Sequence, residues 1–264
     1  MLEVERLSAR NKVVIITGAA RGHGRSIAVT FASEGARLAL VDIAPLEQVV
    51  GECQQYDADV RPFQIDLREP EQVRAMIDAV QQQYGRIDIL INDAGIVTHF
   101  RYAGTQRWPR VAEMEPSFFE NVIRTNLFGT FLTTKYVLPY MEAQGGGHII
   151  NFGQGNVGHG IGPTDPDQLG ATAYHVSKLA IRAFSQEVAG EEFTHGVCIM
   201  AMGPGEQRFS DRSLTPEEVA ERATEIDMDL GKRFVIAAEA PMEMSGRMVM
   251  VRDGKVVPTA DEVL

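Results

Sequence analysis

Short apolar runs alternate with longer stretches of helical period along most of the chain. The runs fall at 13–17, 38–41, 60–65, 87–91, 148–152, 197–202 and 248–251. Several are nearly continuous rather than alternating in polarity. Strands covered by helices on both faces of a parallel sheet read this way. Between them the pattern predicts helices over 24–34, 45–55, 70–84, 116–143, 172–191 and 216–225. Strand–helix alternation predicts βαβ units with right-handed crossovers, hence a doubly wound α/β sheet. Seven strands are expected, mostly parallel, with helices on both faces. No repeat, low-complexity segment or linker divides the chain, so 1–264 reads as a single domain. Stretches near 98–115, 155–171 and 205–225 do not fit the alternation. They follow strands on the side where such sheets bind ligands and are expected to be substrate loops.

Charge narrows the partners. Lys and Arg number 25 against 36 Asp and Glu, a net charge of -11 over 264 residues. A surface that negative repels phosphate backbones and anionic lipid, so neither nucleic acid nor membrane is the expected partner. A small-molecule substrate is expected instead. Cys53 and Cys198 lie far apart with no metal-ligand spacing, so no metal site is expected. They read as buried free thiols in a reducing compartment. No apolar run reaches the roughly 20 residues that span a bilayer, and no signal segment is evident, so a cytoplasmic location is expected.

The first strand runs into Thr17-Gly18-Ala19-Ala20-Arg21-Gly22-His23-Gly24. Gly18 permits a sharp turn, and Gly22 and Gly24 put no side chain between the backbone and a diphosphate. The helix that follows offers unpaired N–H groups and a positive dipole end. The second strand ends at Asp42, placed to accept hydrogen bonds from ribose hydroxyls and to repel a 2′-phosphate. Asp42 therefore points to NAD(H), while Arg21 points mildly toward NADP(H). The alternative for Asp42 is a strand-end residue capping the next helix.

At this point the sequence resembles the short-chain dehydrogenase/reductase superfamily over nearly its whole length. Thr-Gly-x-x-x-Gly-x-Gly is that family's spacing, here with His23 at a usually aliphatic position. Asp66-Leu67 is similar to its adenine-contacting pair. Asn92-Asp93-Ala94-Gly95 is similar to its Asn-Asn-Ala-Gly motif, with Asp93 in place of the second asparagine. Asn126 matches its helix asparagine, Tyr174-His175-Val176-Ser177-Lys178 its Tyr-x-x-x-Lys, and Pro204-Gly205 its Pro-Gly near the nicotinamide. The resemblance implies a Rossmann-type fold and an NAD-dependent oxidoreductase interconverting a secondary alcohol and a ketone. Tyr174 and Lys178, four apart on one helix face, imply a tyrosine general acid/base whose pKa the lysine lowers. Asn126 is implied in a proton relay through water.

The sharpest departure from the family is at its serine. Where a serine normally follows the fifth strand, this chain has Gln154, and no serine occurs between Ser117 and Ser177. A glutamine amide can donate a hydrogen bond to the substrate oxygen but cannot relay a proton as a hydroxyl does. Three readings stay open: Gln154 orients the substrate oxygen, the chemistry has become lyase-like, or the chain is a cofactor-binding subunit with little activity inside an assembly. Helices 116–143 and 172–191 carry apolar residues on more than one face. They imply a homodimer or homotetramer, or a hetero-oligomer with a related subunit, with core packing as the competing explanation.

Overall fold

The computed structural model describes residues 9–96, 109–153, 172–204 and 224–259. Along the chain run β1 (Val13–Thr17), α1 (Gly22–Ser33), β2 (Arg37–Asp42), α2 (Glu47–Gln54), β3 (Val60–Gln64), α3 (Pro70–Tyr84) and β4 (Ile89–Asn92). Then follow α4 (Pro116–Ile123), α5 (Gly129–Gln144), β5 (Gly147–Phe152), α6 (Thr172–Glu192), β6 (Val197–Met202), α7 (Met228–Ala237), β7 (Met248–Arg252) and β8 (Lys255–Pro258). One sheet holds the strands in the order β3-β2-β1-β4-β5-β6-β7-β8. All neighbours are parallel except β7 and β8.

The continuous apolar runs have the predicted cause. In β1, Val14 and Ile16 join the core under α1 and α7, while Val13 and Ile15 join the core under α3, α5 and α6. Every β1 residue is buried. Because β2 and β4 flank β1 on opposite sides, the strand order reverses there. The crevice beyond the carboxyl ends of β1 and β4 is where sheets of this kind take ligands.

Eight strands form rather than the seven expected. The extra one comes from a two-residue hairpin, Asp253-Gly254, with φ of 51° and 72°. Asp-Gly at two left-handed positions matches the strands' twist and folds Lys255–Pro258 back onto β7. Both outer strands carry a proline, Pro62 in β3 and Pro258 in β8. The helix expected over 116–143 divides into α4 and α5 around a π-helical turn at Arg124–Phe128. The helix expected over 216–225 lies almost wholly outside the described residues.

Helix α7 was not expected, although its start is marked. Asp227 accepts hydrogen bonds from the N–H groups of Asp229 (3.1 Å) and Leu230 (3.0 Å), a side-chain N-cap. Leu230, Phe234 and Val235 then form its buried stripe. This helix crosses α1 at Gly231, where an added Cβ would collide with the Thr30 side chain and lie 3.0 Å from the Ser26 carbonyl oxygen. Gly231→Ala therefore overpacks the crossing. We expect chemical denaturation to show a loss of about 1–3 kcal/mol, with the far-ultraviolet spectrum unchanged.

Candidate active site

The site is built where three strand ends lie in register. Thr17 of β1 pairs with Asn92 of β4, which pairs with Asn151 of β5. Asn92 is buried and its side chain is fully engaged inside the core. Its Nδ2 donates to Asn151 Oδ1 (2.8 Å), and its Oδ1 accepts from Thr133 Oγ1 (2.8 Å). Asn151 Nδ2 donates in turn to Ser185 Oγ on α6 (2.9 Å). Asn92 thus fixes strand ends and helices, and its amide does not face the crevice.

Past these ends, the chain turns that follow β1 and β4 approach closely. A Cβ on Gly18 would lie 2.8 Å from Ala94 N and Cα, and one on Gly24 would collide with the Gly18 carbonyl. Only glycine fits at either place. Ala94 N–H donates to Thr17 Oγ1 (3.2 Å), tying the two turns together. Gly95 packs against Asn126, whose Oδ1 a Cβ there would meet at 3.1 Å. Helix α1 begins with no side-chain cap from Arg21 and no acidic residue in its first turn. Its amino end suits an anionic diphosphate, and the glycines keep the approach open. One N–H is taken: Gly24 donates to the Asp93 carboxylate.

Asp42 stands at the end of β2. Its Oδ2 accepts from Ala20 N–H (3.0 Å) in the glycine turn, and its Oδ1 from Ala44 N–H (2.9 Å). The carboxylate is therefore held in place and still has lone pairs for ribose hydroxyls. Asp66 is clamped by Arg68, with Arg68 Nη2 at 2.6 Å, and this guanidinium holds its carboxyl below the usual range. Leu67 is buried against Gly129. His23 stacks on Phe152 with centroids 5.4 Å apart, and Phe152 stacks on Phe234 at 5.2 Å. An aromatic column thus joins the glycine turn, β5 and α7. Arg233 on α7 donates to the Pro204 carbonyl (2.8 Å) and anchors the chain leaving β6.

Helix α6 presents the Tyr-x-x-x-Lys pair. Lys178 is buried at 3% exposure, and its Nζ donates to the Phe152 carbonyl (2.8 Å). The same Nζ lies 5.7 Å from the Tyr174 ring centroid. Here the expected lowering of the Tyr174 pKa does not occur. Burial pushes the phenol up to about 12, and the Asp93 charge adds to it. The lysine's ammonium is directed to the Phe152 carbonyl.

Asn126 is fully buried in the π-helical turn. Its Oδ1 accepts from Ile96 N–H (2.7 Å), and its Nδ2 donates to Ile96 O (3.1 Å) and Ser177 Oγ (2.9 Å). The side chain is a brace between the turn after β4 and α6. It makes no hydrogen bond to Lys178. Gln154 and Gly205 lie outside the described residues, as do most of the stretches expected to be substrate loops. Sequence reasoning missed Phe152, Ser177, Arg233 and Phe234. Phe152 acts through its backbone carbonyl and by stacking, and neither role leaves a residue-type signature.

Comparison with known proteins agrees with this geometry. A family profile described as short chain dehydrogenase matches residues 12–213. The 3-oxoacyl-(acyl-carrier-protein) reductase FabG of Thermotoga maritima is 32% identical over 216 residues, covering 81% of this chain and 80% of that protein. The levodione reductase of Leifsonia aquatica is 32% identical over 241 residues, covering 88% and 84%. Among solved structures, a short chain dehydrogenase from Mycobacterium paratuberculosis bound to NAD superposes with a TM-score of 0.63 at 25% identity, covering 74% and 72%. The chain belongs to the short-chain dehydrogenase/reductase family and is an oxidoreductase. Among the described residues, no helix is long and apolar enough to cross a membrane.

Asn126→Ala would take the side-chain partner from the half-buried Ile96 N–H and carbonyl and leave the Ser177 hydroxyl only its bond to the Tyr174 carbonyl. Urea melts of this variant are expected to show a loss of about 1–3 kcal/mol, the penalty range for buried groups left without partners.

Proposed function

We propose that this chain is an NAD(H)-dependent oxidoreductase interconverting a ketone and a secondary alcohol, with Tyr174 moving the proton. One observation carries the reading. Lys178, buried, and Tyr174, half-buried, stand on one face of α6, with Lys178 fastened to the β5 carbonyl at the mouth of the β1–β4 crevice. Bound NAD(H) supplies the hydride. The α1 amino end would take its diphosphate, Asp42 its ribose hydroxyls, and Asp66 with Leu67 the adenine side. Tyr174, held protonated by burial, gives its proton to a ketone oxygen as hydride arrives at the carbonyl carbon. In the reverse direction it must first lose that proton, so alcohol oxidation should strengthen as pH rises. Gln154 serves as the amide donor that orients the substrate oxygen, in place of the family's serine.

The raised tyrosine pKa favours one second reading, a cofactor-binding subunit with little activity of its own. A substrate panel followed at the nicotinamide absorbance separates the two. Turnover of any ketone supports the enzyme, and NADH binding with no turnover supports the subunit. We read the chain as cytoplasmic, since Cys53 and Cys198 are free and buried. We also infer that it forms a homo-oligomer through α4, α5 and α6, where Phe119, Phe131 and Val176 are exposed. Core packing accounts for Val122, Ile181 and Val188 of the same helices.

Two outcomes are expected. Calorimetry should give NAD(H) at least tenfold tighter binding than NADP(H), about 1.4 kcal/mol, because the fixed Asp42 carboxylate would repel a 2′-phosphate. Tyr174→Phe should keep NADH affinity within a few-fold while most turnover disappears, since only the titrating hydroxyl is lost.

A further inference from the structure

Asp93 is the residue that the family motif does not explain. It directly follows Asn92, as Phe152 directly follows Asn151, the partner of Asn92 in the sheet, and a Cβ on Gly18 would lie 3.2 Å from the Asp93 carbonyl carbon. On the Gly18 side, Gly24 of α1 gives it a backbone N–H, and a Cβ on Gly24 would lie 3.0 Å from Asp93 Oδ2. On the Phe152 side, the carbonyl of that residue holds Lys178 Nζ at 2.8 Å. The Asp93 carboxylate and the peptide that anchors the buried ammonium thus each come one residue after a paired strand end.

We propose that Asp93 is a built-in counter-ion for Lys178, a positioning residue that keeps the ammonium charged beside Tyr174 and sets the pH at which the Tyr174–Lys178 pair gives up a proton. The inference rests on the functional reading above and deepens it.

The electrostatics run the same way. Burial disfavours the charged form of each partner, lifting Asp93 and lowering Lys178, and their mutual attraction opposes burial in both. A buried ammonium with one carbonyl acceptor and no nearby anion would shed its proton. Other charged or titratable groups face Asp93 from the elements around it. Asp42 at the end of β2 repels it, and Tyr174 on α6 is pushed up by it. From α1 come the Gly24 N–H and the His23 ring, which stacks on Phe152. Lys178 is the cation among these groups. The sign of a substitution follows: removing a negative charge eases the loss of any nearby proton, whether from the ammonium or from the phenol.

Asp93→Asn is the direct test. The amide oxygen can still accept from Gly24, so a purely structural role would be preserved. The chain has five lysines, few enough to follow individually by carbon-13 resonance after labelling at the ε carbon. Lys178→Met identifies the Lys178 signal. In Asp93→Asn we expect the Lys178 titration midpoint to fall by at least about one pH unit while the other four stay fixed. Asp93→Ser, which also removes the charge, gives the same readout where the asparagine variant does not fold. An unmoved Lys178 midpoint overturns the proposal. This titration requires neither cofactor nor substrate, so its outcome is independent of whether the enzyme reading holds. Where wild type turns over a ketone–alcohol pair, the pH profiles of kcat/KM in both directions should move toward lower pH in Asp93→Asn. Profiles that superimpose on wild type would also overturn it.

Discussion

Everything in the crevice depends on the alignment of Thr17, Asn92 and Asn151 across three parallel strands. A parallel ladder by itself tolerates slippage where both faces are apolar, because each side chain meets similar neighbours after a shift. The buried amides remove that freedom. Asn92 satisfies itself only with Asn151 beside it and Thr133 above it, and Asn151 only with Ser185 within reach. A shift by one residue would leave several polar groups unpaired in the core, at about 1–3 kcal/mol each. The register then dictates where the next residues go. Gly18 meets Ala94, Asp93 falls beside Phe152, and the Phe152 carbonyl is offered to Lys178.

Burial sets the chemistry that follows. Lys178 is withdrawn from water, and Tyr174 and the Asp93 carboxylate are half-buried. In such surroundings a proton's position is decided by the few charges present rather than by solvent. The family motif alone suggests a lysine that makes its tyrosine acidic. In this chain burial raises the phenol instead, and the Asp93 charge adds to that rise.

Much of this was legible in the sequence, and for identifiable reasons. Strands such as 13–17 and 197–202 appear with the same limits because a strand buried on both faces leaves an unbroken apolar run. The glycine turn, Asp42 and the Tyr174–Lys178 spacing are residue-type requirements, so they show in the letters. The missed features depend on groups that every residue possesses or on distant partners. The Phe152 carbonyl has no letter of its own. The π-helical turn carries Asn126, whose partner Ile96 lies 30 residues away in the chain. Helix α7 was overlooked despite its Asp227 cap, and β8 despite its Asp-Gly turn. Both are short, and the stretch before α7 drew the helical pattern to 216–225 instead.

The two prolines on the outer strands bear on how copies of the chain can meet. A sheet edge normally offers a row of free N–H and C=O groups that another strand can join. Pro62 in β3 and Pro258 in β8 each delete a donor, and Arg61 and Lys255 add charge on the same strands. Neither margin of the sheet is a good template for a foreign strand. Unwanted growth of the sheet into fibres or edge-joined aggregates is thereby discouraged at both ends. Association between folded copies is left to side chains on helices, where geometry rather than backbone pairing decides who fits.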